Sequence, residues 1–156
     1  MAKKKKFKKG KFKSGTYVGR DIYFSRAFHS LRGFAPQLLI LFLGKRDIDN
    51  NHRCLNANNI TMTYIELENI YNAGQENKNL PKDGIARPRI IRAFNDLLAK
   101  GFITIIYHGG AYKKDRTIFG LSDQWKSWRE GMVISTRPKE PKKGYQGQRL
   151  GATKQI

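Results

Sequence analysis

Apolar positions along this chain recur most clearly at the spacing of a helix. Between residues 85 and 100, Ile90, Phe94, Leu97 and Leu98 fall at i, i+4, i+7 and i+8, the stripe of a helix packed by one face. Ile91 flanks the stripe, and Pro88 sits in the first turn, where a missing N–H does no harm. Lys100-Gly101 ends the segment with a cation and a glycine cap. Residues 102–107 and 117–121 then read as the two strands of an antiparallel hairpin, joined by a loop at 108–116. Upstream, residues 25–31 read as a short helix capped by Ser25 and ended by Gly33. Ala35-Pro36 opens a segment that stays apolar through Leu43, with Gly44 as its C-terminal cap. Apolar on every side, it suits a buried central helix, with a buried strand as the alternative. Residues 47–59 are polar and hold five Asn, a loop composition. Residues 60–63 make a short strand, and Thr63 with Glu66 forms a capping box for a helix running to about residue 72. Ile65, Leu67, Ile70 and Tyr71 give that helix its apolar side. An eleven-residue polar connection, 74–84, follows. Ser122 caps a last short helix in which Trp125 and Trp128 pack on the core.

Charge changes the picture more than anything else in the composition. Lys and Arg number 31 against 12 Asp and Glu, a formal net charge of +19. Residues 1–16 carry eight lysines and no acid, and residues 137–156 carry six basic residues and Glu140. These two segments have almost nothing apolar to bury and should be disordered in isolation. They divide the chain into a Lys-rich arm (1–16), a folded domain (17–136) and a basic tail (137–156). Arms of this kind neutralise phosphates and release counterions, so their binding weakens steeply with salt. Solubility and a nuclear import cluster at Lys3–Lys6 are the competing readings. Phe7, Phe12 and Tyr145 are isolated aromatics that could stack on bases. Apolar residues are 39% of the chain, below the usual roughly 45–50%, which leaves enough for one small core. The longest apolar stretch, residues 38–43, is far shorter than the ~20 residues a bilayer needs. A single cysteine, Cys54, excludes an internal disulfide framework and a cysteine-rich zinc site.

The order helix, short strand, helix, connection, helix, hairpin resembles a winged helix-turn-helix domain. Residues 84–103 carry the resemblance most closely. Ala93-Phe94 and Leu97 fill the Ala-Leu-x-x-Leu slots of that superfamily, and Lys100-Gly101-Phe102-Ile103 fills its closing Lys-Gly-aliphatic-Ile. The resemblance extends over roughly residues 35–128 and is similar to bacterial or phage regulators and replication-initiator domains. It departs in two places. The link before the third helix is much longer than a 3–4-residue turn, and Ala86 stands where a Ser or Thr cap is usual.

The resemblance implies an α+β fold with a three-helix core and a β-hairpin wing. The third helix would enter the major groove by its N-terminal turns, where Arg87, Arg89 and Arg92 sit. One of these would read guanine and the others would hold phosphates. Lys113, Lys114 and Arg116 in the wing tip would grip the minor groove or backbone, and Lys82 is a weaker phosphate candidate. The expectation is thus sequence-specific binding of double-stranded DNA, in transcriptional regulation or origin recognition of a mobile element. A structural RNA-binding or ribosome-associated protein is the alternative. No enzyme activity, metal or cofactor is expected. His29, His52 and His108 are scattered, no Gly-Lys-Ser/Thr phosphate loop occurs, and Glu66 and Glu68 point to different helix faces. The expected place is the cytoplasm, on the nucleoid, with no membrane partner. A monomer or homodimer is open, with Phe24, Phe28 and Leu31 or the Trp125/Trp128 helix as the faces that would meet.

Overall fold

The computed structural model describes residues 15–73, 85–110 and 115–139. Within them lie α1 (Arg20–Tyr23), α2 (Arg26–His29), α3 (Ala35–Gly44), β1 (Ile60–Thr61), α4 (Tyr64–Ala73), α5 (Arg87–Ala99), β2 (Ile103–Tyr107) and β3 (Ile118–Leu121), then a 3-10 turn, Gln124–Ser127. The fold is α+β. Its three strands form an antiparallel sheet in the order β1-β3-β2, so the short strand before α4 joins the far side of the hairpin. Ile60 faces Phe119 on one edge, and Ile103 faces Leu121 on the other. This arrangement is compatible with a winged helix. The link containing Lys82, the hairpin tip with Lys113 and Lys114, and the two basic segments up to residue 14 and from residue 140 lie outside the described residues.

The apolar stripe of α5 is buried as its spacing predicts: Ile90, Phe94, Leu97 and Leu98, with Ala93 completing the face. It packs on α3, whose Leu38, Leu39 and Phe42 are fully buried. Phe94 lies at the junction of the layers. It stacks on Phe119 of β3 at 5.1 Å and meets Phe42 edge-on at 5.9 Å. Trp125 stacks on Phe102 at 5.7 Å, which closes the lower end of the core.

Two helix ends follow the local chemistry closely. Ser25 Oγ accepts from Phe28 N at 3.0 Å, although α2 stops at His29 and Gly33 lies in the turn beyond. Phe102 N donates to Leu97 O and Gly101 N to Leu98 O, the paired bonds of a helix that ends on a left-handed residue. Gly101 has φ +77, and a Cβ there would stand 2.7 Å from Ile134 Cδ1 and 3.0 Å from Trp125 N. Gly101→Ala should therefore lose roughly 1–3 kcal/mol to backbone strain alone. A thermal melt should show a clear fall in Tm, and an unchanged Tm would contradict this account of the cap.

Three expectations need correction. Gly44 is the last residue of α3 rather than a left-handed cap, and Thr16 Oγ1 stands 2.8 Å from where its Cβ would be. In α4 the buried stripe is Leu67, with Tyr64 and Tyr71 half-buried, whereas Ile65 and Ile70 are exposed. Positions 64, 67 and 71 share one face, and 65 and 70 fall on its opposite flanks. The capping box is only partly realised. Thr63 Oγ1 accepts from Glu66 N at 3.1 Å, but the Glu66 carboxylate turns to Lys45 Nζ at 2.5 Å. The four-residue helix α1 carries no strong periodic signal in the sequence.

Candidate nucleic-acid interface

The arginines of α5 do not share a face. At about 100° per residue, Arg87 and Arg89 project in nearly opposite directions, while Arg89 and Arg92 lie about 60° apart. Arg87 turns toward α4, where its Nε donates to Glu68 Oε1 at 2.7 Å. That hydrogen bond, with the carboxylate charge behind it, pushes an already high guanidinium pKa further up. Glu68 is thus the compensating acid, and it lies 19 residues away along the chain. Arg89 and Arg92 are exposed on the other flank, beside the turn between α2 and α3. Arg32 of that turn joins them around one shallow groove, a basic residue that sequence periodicity gave no reason to select.

The acid nearest this group is already engaged. Asp96 Oδ2 accepts from the Arg32 backbone N at 2.9 Å, and Asp96 Oδ1 accepts from Lys100 Nζ. Lys100 is 7% exposed and also lies over the Trp128 ring, 5.8 Å from its centroid. The C-terminal cation expected there is therefore a buried structural pair. Among the described residues, the side chains of Arg32, Arg89 and Arg92 make no ion pair. Ala86 is extended and supplies no side-chain cap to α5.

Arg116, at the return of the hairpin, is exposed and stands across a cleft from Arg87. Arg137 reaches the same cleft. It donates through Nη1 to Tyr64 Oη and lies 5.8 Å above the Tyr64 ring. The chain from Trp128 to Arg137 is held as a strap, with Trp128 Nε1 donating to Met132 O at 2.9 Å and Ile134 N to Ala99 O at 2.8 Å. Arg137 is thereby fastened to the folded body. The other basic segment joins the body where Arg46 Nη2 donates to Tyr17 O at 2.6 Å, at the end of α3. Lys45, next to it, bonds Thr61 O at 2.5 Å. Tyr17 is thus held at the end of α3, and Arg137 at the first turn of α4.

No family model, curated protein or solved structure matches this chain.

Of the proposed contact faces between copies, Phe28 and Leu31 are half-buried against the core, and Trp125 and Trp128 pack within the chain. Phe24 is 66% exposed and forms an aromatic knuckle with Tyr23 at 5.2 Å. Among the described residues no group of His, Cys, Asp and Glu could hold a metal ion. Cys54 Sγ contacts Asn56 Oδ1 at 3.5 Å in the loop before β1. No described helix is long and apolar enough to cross a membrane.

Proposed function

We propose that this chain is a winged helix-turn-helix protein that binds double-stranded DNA sequence-specifically, in transcriptional regulation or origin recognition of a mobile element. In this reading α3, α4 and α5 are the three-helix core and β2–β3 the wing. The reading is carried by the groove that gathers the guanidinium groups of Arg89, Arg92 and Arg32, none of them in an ion pair with a described residue, on one flank of α5, with Asp96 tied up behind them. An arginine fork pairs with guanine O6 and N7 or with a phosphate, which a solvated helix face does not require. Arg116, with Lys113 and Lys114 of the same hairpin, would hold the adjoining backbone. The terminal lysines add affinity without sequence information.

The test is selection by the full chain from a random duplex pool, at salt high enough to weaken the arms. An enriched motif is expected, and a palindromic one would add a dimer. Absence of enrichment, together with preference for structured RNA at equal salt, would overturn the reading in favour of an RNA-binding protein. Glu68→Gln supplies a second check. It frees Arg87 from its acid partner, so non-specific duplex affinity should rise and the salt slope should steepen by about one counterion. An unchanged slope would mean that Arg87 does not face the duplex.

A further inference from the structure

Between the start of α4, one flank of α5 and the base of the hairpin lies a cavity of about 400 Å³. Its floor is apolar: Phe94, Leu98, Ile105 and Phe119. Its rim is cationic, with Arg87 from α5, Arg116 from the hairpin and Arg137 from the strap. Arg87 rests on Glu68 and Arg137 on Tyr64, while Arg116 makes no ion pair with a described residue. His108 lines the same cavity with both ring nitrogens buried and without a hydrogen-bond partner among the described residues. Buried polar atoms are almost always paired, and each exception calls for a partner or a function. A neutral imidazole offers one donor and one acceptor. Asp115 completes this wall, its Oδ2 accepting from Tyr107 Oη and from Gly110 N, both at 3.2 Å.

The volume suits one ring system with a charged group attached, at the small end of ligand pockets. An apolar floor takes a flat ring. Adjacent imidazole and carboxylate groups suit a ring edge that carries both acceptors and donors. Guanidinium forks at the mouth suit a phosphate. We propose that this cavity binds a single nucleotide unit, with its base on the Phe94–Phe119 floor and its phosphate on the Arg87–Arg116 rim. Such a unit has two sources: a free nucleoside monophosphate, or an unpaired nucleotide of a strand lying against the protein. The proposal goes beyond duplex recognition and does not depend on it, because a free nucleotide contains no duplex.

The experiment is calorimetric titration of the full chain with AMP and CMP, set against adenosine, cytidine and inorganic phosphate. A parallel titration compares a duplex carrying one bulged nucleotide with its perfectly paired form. One-site binding of a monophosphate is expected, at least about tenfold tighter than that of its nucleoside or of phosphate, since each good polar contact is worth that much. His108→Leu and Arg116→Gln should each weaken it by about tenfold. Arg116 is exposed, so its variant keeps the test valid even if His108→Leu does not fold. If free nucleotides do not bind, but the bulged duplex binds more tightly and His108→Leu abolishes the difference, the strand is the source and the proposal stands. Monophosphate binding that neither substitution changes would place it on the basic arms and overturn the proposal. So would the absence of both free-nucleotide binding and a bulge preference.

Discussion

Phe94→Ala should destabilise the domain by about 3–5 kcal/mol, the range for deleting a buried phenylalanine. The side chain is 3% exposed and touches every layer: Phe119 in the sheet, Phe42 in α3 and, edge-on at 6.0 Å, Tyr64 in α4. Its removal leaves a void where α3, α4, α5 and the sheet meet. A domain of this size has about 5–15 kcal/mol of stability in total, so a large part would be lost. Urea denaturation should show a lower midpoint with little change in slope. Phe94→Leu, which keeps most of the volume, should recover more than half of the loss. A midpoint shift equivalent to less than about 1 kcal/mol for the alanine variant would show that Phe94 is not the junction described here. Duplex and nucleotide binding should fall together in Phe94→Ala, because the residue both seats α5 and floors the cavity.

Arg89→Ala and Arg92→Ala should separate affinity from discrimination. Loss of an arginine that reads guanine costs about 1–3 kcal/mol, roughly 5- to 150-fold, on the selected site alone. Loss of an arginine that holds a phosphate weakens binding to all sequences and shallows the salt slope by about one. The two side chains lie one turn apart on the same flank, so one is expected to behave in the first way and the other in the second. Arg32→Ala should follow the phosphate pattern, since Arg32 comes from a turn rather than from the helix that would enter the groove. Competition titrations on the selected site and on an unrelated duplex, each at several salt concentrations, resolve these outcomes. If both α5 variants bind the selected site like the parent chain, α5 is not the reading helix. Neither substitution removes a core contact, because both side chains are exposed, so the melting temperature should hold.

Local patterns account for much of the molecule. The period of residues 85–100 placed α5 and chose its buried face. Lys100-Gly101 placed its end, and the two apolar runs after it placed the hairpin. These features depend on neighbours within four or five positions, whose geometry is set by helix and strand periods and by the conformational freedom of glycine. The sequence by itself also determined that the charge excess collects at the two ends. It did not determine which charges remain available. Only tertiary structure set Glu68 on Arg87, consumed Asp96 between Lys100 and the Arg32 backbone, and carried Arg137 across to Tyr64. Those contacts join residues 19, 64 and 73 positions apart. No helical or strand period reaches so far, and the partner of a charge at that separation depends on where the packed core returns the chain.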